Sequence, residues 1–181
     1  LSALPAFYAV YLRLNLPDSP RYTAQTVKPS IISNIKMIWS SEYKKATLML
    51  WILWFCVVFS YYGMFLWLPS VVILKGFDLV KSFEYVLIMT LAQLPGYFTA
   101  AWFIEKVGRK FVLVTYLIGT AIAAYFFGIA NTAMQLVVAG MFLSFFNLGA
   151  WGALYAYTPE QYPTLARATG AGMAAGIGRI G

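Results

Sequence analysis

The chain has 181 residues, of which 61% are hydrophobic and 10% charged, with a formal net charge of +7. That is more apolar than a soluble core of this length requires. Histidine is absent and cysteine occurs once, which excludes a histidine triad, a histidine proton relay, an internal disulfide and a Cys/His metal site. The basic residues sit in short stretches between apolar runs, so they argue membrane topology rather than nucleic-acid binding.

Leu1 to Leu12 reads as the tail of a helix that ends at Arg13 and the Pro17-Asp18-Ser19-Pro20-Arg21 turn. The polar stretch from Arg13 to Lys45 holds Arg13, Arg21, Lys28, Lys36, Lys44 and Lys45. Within it Ile31, Ile35 and Ile38, flanked by Ile32 and Trp39, stripe one face of a short helix that Ser30 would cap. Two placements are open for that helix: flat on the membrane surface, or packed against the underside of the bundle.

From Ala46 to Leu74 no residue is charged. The run exceeds one straight crossing of a bilayer core of about 30 Å. Gly63 and Pro69 predict a kinked or broken helix there. The span Tyr85 to Ile104 carries Gln93, Pro95 and Gly96 near its centre and should bend at mid-depth. Phe111 to Ala130 and Ala133 to Tyr157 form two further crossings joined at Asn131-Thr132, and a glycine-rich helix begins near Gly170. Because the chain starts and stops inside apolar segments, a piece cut within two spans is expected. Most Lys and Arg fall on one face, in 13–45, 105–110 and 158–169, which predicts that these loops are cytoplasmic.

Two charged hinges share that face. In Ala101-Trp-Phe-Ile-Glu105-Lys-Val-Gly108-Arg109-Lys110, Gly108 permits a tight reversal and Arg109 offers a planar fork to a carboxylate. This segment resembles the cytoplasmic loop signature of the major facilitator superfamily, with Ala101 where that signature usually has glycine. Pro159-Glu160-Gln161-Tyr162-Pro163, followed by Arg167, is similar to the motif after the tenth helix of sugar-porter-type facilitators. The Pro17 to Arg21 turn resembles their element after helix six, with Asp18 in place of glutamate.

The resemblance implies an all-α membrane protein, a partial major facilitator bundle. It comprises the end of helix six and the central loop over 1–45, then helices seven to ten and the start of helix eleven over 46–181. Thr90 to Tyr97, Phe145 to Trp151 and Tyr155 to Pro163 are further similar to bacterial niacin or nicotinamide transporters related to metabolite:proton symporters. The implied activity is secondary transport of a small aromatic metabolite by alternating access, coupled to protons, with no cofactor and no enzymatic chemistry. The implied partners are the cargo, protons, the lipid bilayer and an N-terminal half of the same polypeptide. Another organic acid or a sugar is the alternative cargo, and a receptor or structural bundle the alternative class.

Candidate functional residues follow in two sets. Glu105, Arg109, Lys110, Glu160 and Arg167 correspond to a cytoplasmic gate whose ion pairs tie helix ends together, each expected to contribute about 1 to 3 kcal/mol at a partly wet interface. Gly140, Ser144, Asn147, Trp151 and Tyr155 recur at steps of three and four, placing small, polar and aromatic groups on one helical stripe toward a central cavity. Asn147 and Trp151, with Tyr61, Tyr62 and Gln93, form the candidate cargo site. Packing accounts for Gly140 and Ser144 equally well, and an interfacial belt for Tyr155. The seventh helix lacks the glutamine pair usual in sugar porters, so rings and amides favour a flat heteroaromatic cargo. No complete span carries a charge away from its ends, so the titrating carboxylate is expected outside this chain, with Glu84 a distant alternative.

Overall fold

In a computed structural model of the chain, residues 30–74, 76 and 79–180 are described, together with Tyr8 and Tyr11. The expected helix end over 1–12, the Pro17 to Arg21 turn and the basic residues Arg13, Arg21 and Lys28 lie outside the described residues, apart from Tyr8 and Tyr11. The chain divides into two units, Leu1–Ser30 and Ile31–Gly181. In the first, the helical residues Tyr8 and Tyr11 stack with ring centroids 6.4 Å apart.

The second unit is built from α1 (Ile31–Ile38), α2 (Lys44–Leu74), α3 (Leu79–Leu91), α4 (Gln93–Val107), α5 (Arg109–Ile129) and α6 (Ala133–Tyr157). A 3-10 turn over Thr158–Gln161 leads to α7 (Arg167–Gly178). Among the described residues, four helical segments are long and apolar enough to cross a membrane: Lys44–Leu74, Lys81–Val107, Arg109–Ile129 and Ala133–Gln161. These are the four complete spans expected from the sequence.

Two expectations about helix breaks divide. The span containing Pro95 is interrupted, as expected, at Ala92 between α3 and α4. Pro95 has no N–H for the carbonyl of Leu91 and its ring crowds that oxygen, so the helix yields one turn ahead of it. By contrast α2 runs unbroken for 31 residues with Pro69 inside it, so of the two forms expected there, kinked or broken, the helix is not broken. Leu68 and Val72, both buried on either side of Pro69, hold that turn against its neighbours.

The hub of the second unit is α6. Half of its apolar window is buried, against 22%, 22% and 28% for the other three spans, and it packs on α2, α3, α4 and α5. Small residues make this possible. In lipid, helices gain nothing by hiding apolar surface from one another, so close packing must hold them. A Cβ added to Gly96 would stand 2.3 Å from the backbone oxygen of Phe145, and one added to Gly149 would stand 2.1 Å from the Tyr116 ring. Gly140 likewise seats the Met89 side chain.

The buried apolar residues form two clusters at different levels. One includes Leu50, Trp54, Val57 and Val58 of α2 with Tyr116, Leu154, Tyr162 and Ala174. The other joins Leu68 and Val72 of α2 to Met89, Ala130 and Leu136. Between them, along α2 and α6, lies a polar interval at Ser60 and Asn147.

Gly96→Ala therefore should destabilise the bundle by about 1 to 3 kcal/mol, because a backbone oxygen cannot move aside as a flexible side chain can. Gly63→Ala is the matched control, since a Cβ there meets nothing within 4 Å and alanine favours the helix by roughly 0.5 to 1 kcal/mol. Thermal unfolding of both variants in detergent should move in opposite directions.

Candidate functional site

The polar interval is built from the middle of α2 and α6. Ser60 donates its hydroxyl hydrogen to the Val57 carbonyl oxygen at 2.9 Å. Asn147 donates Nδ2–H to Ser60 Oγ at 3.3 Å. Asn147 is 1% exposed, and its Oδ1 has no hydrogen-bond partner. Asn34 Oδ1, Trp51 Nε1 and Gln93 Nε2 are likewise buried without a partner among the described residues.

Aromatic rings extend from this point in both directions. Tyr61 and Trp151 have centroids 5.1 Å apart, with Tyr62 6.3 Å from Trp151 and Phe65 4.8 Å from Tyr61. Toward the other end Trp54 lies edge-on to Trp151 at 6.3 Å and to Tyr155 at 4.7 Å. Tyr62 and Tyr155 are each 47% exposed, so the rings form a continuous, half-open patch that neighbouring protein or cargo can cover.

The structure brings together four of the five expected cargo residues at this level: Tyr61, Tyr62, Asn147 and Trp151. Gln93 is buried at the start of α4, its Nε2 without a partner, and no described hydrogen bond or ring contact joins it to the other four. The stripe of α6 also divides by role. Gly140 packs on Met89 and Ser144 is buried, so these two belong to helix packing, while Asn147, Trp151 and Tyr155 reach α2.

At the charged end, Arg109 and Glu160 form an ion pair that joins the start of α5 to the turn after α6. Gly108, with φ 97°, is both the last cap of α4 and the first of α5, a conformation that favours glycine. Among the described residues Glu105, Lys110 and Arg167 are exposed and form no ion pair. The pair itself is wet, with side chains 40% and 46% exposed. Its contribution is therefore about 0.2 to 1 kcal/mol, below the 1 to 3 kcal/mol anticipated from sequence.

Uncharged hydrogen bonds carry the rest of this end. Trp54 Nε1–H donates to Thr158 Oγ1 at 2.9 Å, and Thr158 donates to the Leu154 carbonyl oxygen at 2.7 Å. Tyr162 OH donates to Thr47 Oγ1 at 3.2 Å, and Thr47 donates to the Ile38 carbonyl oxygen at 2.8 Å. Burial pushes the Tyr162 phenol above its ordinary pKa, while the bond to Thr47 works the other way, so the group stays a protonated donor. Asn34 Nδ2–H reaches Thr169 Oγ1 at 3.3 Å, which ties α1 to α7.

These contacts show which face of α1 meets the bundle. Its buried residues are Asn34 and Ile38, while Ile31 and Ile32 are 72% and 66% exposed. The helix thus packs on the bundle through Asn34 and Ile38, and the predicted apolar stripe is turned by about one residue. Trp54, Thr47, Thr158 and Asn34 were not singled out by the sequence. Thr158 next to Pro159 at a helix end was the available signal, whereas Trp54 inside a wholly apolar run had none.

The sequence model described as Major Facilitator Superfamily matches residues 1–181. The chain belongs to that superfamily. Over 182 aligned residues it is 66% identical to the "Putative niacin/nicotinamide transporter NiaP" of Bacillus subtilis (strain 168), covering 100% of this chain and 46% of that protein. It is 56% identical to "Niacin transporter NiaP" of Acinetobacter baylyi, over 82% of this chain and 34% of the relative. A "Synaptic vesicle 2-related protein" of Xenopus laevis is 28% identical across 100% of the chain and 42% of its own length. The chain thus spans less than half the length of these relatives. As a major facilitator with four apolar spans, it is a multi-pass membrane protein.

Thr158→Val should destabilise this facilitator bundle by about 1 to 3 kcal/mol, since it strands the buried Trp54 N–H. Trp54→Phe, which removes the donor and leaves a smaller ring, should lose about 1 kcal/mol from the hydrogen bond plus the packing of the missing part of the indole. The double variant should cost less than the sum, a non-additivity that thermal unfolding of all four proteins can read.

Proposed function

We propose that this chain is the C-terminal part of a secondary transporter that moves niacin or nicotinamide across the cytoplasmic membrane by alternating access, driven by protons. The observation that carries the proposal is the mid-span site: a buried amide, Asn147, beside a patch of rings from Tyr61 and Trp151, placed between two apolar clusters. Such a site suits a flat heteroaromatic ring, held by stacking and by one or two hydrogen bonds. The similarity to two proteins named as niacin transporters supports the same cargo.

The mechanism follows from where the groups lie. Tyr61, Tyr62, Asn147 and Trp151 bind cargo at mid-depth, with Gln93 a further contributor after helix movement. Arg109 and Glu160 latch the cytoplasmic ends of α5 and α6 when the cavity faces outward, and Glu105, Lys110 and Arg167 exchange into that latch as helix ends shift. Because the closed pair is half-exposed, the latch biases two nearly balanced states rather than locking one. The loops at 13–45, 105–110 and 158–169 face the cytoplasm, in keeping with their excess of Lys and Arg. The carboxylate that takes up the proton belongs to the remainder of the polypeptide, because no described span holds a charge away from its ends.

Purified full-length transporter in proteoliposomes should take up labelled nicotinate or nicotinamide, and faster with an inward proton gradient. Trp151→Ala should weaken apparent affinity about tenfold, as expected for losing a stacked ring worth roughly 1 to 1.5 kcal/mol beyond its burial. Glu160→Gln should change turnover by about two- to fivefold at normal membrane abundance, the size set by an exposed pair. Uptake of neither compound by the wild type would end the cargo assignment, and unchanged turnover in Glu160→Gln would end the latch.

A further inference from the structure

The transport reading sets a flat ring against Trp151 but gives an ionised substituent on that ring no cationic partner here, since no complete span carries a charge away from its ends. A carboxylate accepts hydrogen bonds and donates none. Where no cation is at hand it needs neutral donors, and phenols are suited to this because they keep their hydrogen at neutral pH. Tyr97 of α4 supplies one. A Cβ added to Gly152 would stand 3.0 Å from Tyr97 Cε1 and 3.1 Å from Cδ1, so the ring lies on the bare backbone of α6, one residue beyond Trp151. Gly96, next to Tyr97, is pressed against the Phe145 backbone, which fixes this stretch of α4 in place.

Two further phenols share the region. The Tyr97 phenol interacts electrostatically with those of Tyr61 on α2 and Tyr155 on α6, and the rings of these two flank Trp151 with centroids 5.1 and 6.3 Å from it. Three helices therefore contribute one hydroxyl each. Tyr116 and Tyr162 direct their hydroxyls to Thr99 and Thr47, whereas among the described residues Tyr61, Tyr97 and Tyr155 have no hydrogen-bond partner for theirs. Tyr97 and Tyr155 are also half-exposed, open to a ligand. A spare phenol alone is no site, since Tyr125 on α5 is exposed in the same way; convergence beside Trp151 is what sets these three apart. We propose that Tyr97, together with Tyr61 and Tyr155, receives the ionised carboxylate of a flat aromatic cargo stacked on Trp151, the phenols donating to its oxygens. Hydrogen bonds to an ionised acceptor are roughly twice as strong as those between neutral groups. The cluster thus favours an aromatic acid over its neutral amide.

This inference rests on the transport reading, and one experiment separates the two. Pyridine-3-carboxylate and pyridine-3-carboxamide are competed against labelled uptake at neutral pH by the full-length protein in proteoliposomes, as wild type, Tyr97→Phe, Tyr155→Phe and Tyr125→Phe. Tyr97→Phe keeps the ring on Gly152 and removes only a hydroxyl without a protein partner, so the fold is retained. It is expected to weaken the carboxylate about tenfold and the carboxamide less than threefold. Tyr155→Phe should move the ratio of the two affinities in the same direction, and Tyr125→Phe should leave both compounds within twofold of wild type. A packing role for Tyr97 would move both compounds together. Equal weakening of the two by Tyr97→Phe, or an unaltered affinity for the carboxylate, overturns the proposal, as does a wild type that takes up the carboxamide but not the carboxylate. A wild type that transports neither compound removes the transport reading and this inference with it, whereas wild-type uptake of the carboxylate with an unmoved ratio in Tyr97→Phe removes this inference only.

Discussion

Inside hydrocarbon a polar group has only the protein to bond with, and an amide or hydroxyl left alone there costs several kcal/mol. This constraint organises the chain more than any apolar contact does. It makes every described element helical, since a helix meets its backbone needs internally. It also restricts where helices may be interrupted. Pro95 breaks its span at Ala92, in the region where α4 packs closely on α6, whereas Pro69 sits within a continuous α2 between the buried residues Leu68 and Val72.

The same constraint divides the polar side chains into two kinds. Thr47, Thr120 and Thr158 return their hydroxyl hydrogens to carbonyl oxygens of the described helices and so close their own accounts. Asn147 and Asn34 are different, because in each the Nδ2 donor is used and the Oδ1 acceptor is not. At the charged end the balance is similar: the ion pair is half in water, while the indole, phenol and threonine bonds behind it are buried. Stability at that end comes chiefly from the neutral bonds.

The number of spans, their limits and the family were legible because long uncharged runs and turn motifs are local signals. Spacing along α6 also placed Asn147 and Trp151 on a common face, and in the structure the two meet α2 at Ser60 and Tyr61. What escaped the sequence depends on partners distant in the chain. Ser60 is one hydroxyl among many until Asn147, 87 residues later, is seen against it. The rotation of α1 toward Asn34 rather than Ile31 reflects Thr169 on α7, a contact across 135 residues. Gln93 was grouped with the cargo residues by depth, but depth says nothing of which side of the bundle a helix faces. The strength of the Arg109–Glu160 pair was overestimated for a related reason: sequence reveals opposite charges but not how much water reaches them.

The reversal at Gly108 joins two helices through a single residue, with no slack on either side. Since α4 has 15 residues, it is a rod about 22 Å long, hinged at Ala92 and coupled directly to Arg109. A tilt of roughly 10° at the hinge would carry its far end sideways by about 4 Å, given that length. That displacement is comparable with the reach of an ion pair. A small rearrangement at Ala92 would thus be amplified, by leverage alone, into a parting of Arg109 from Glu160.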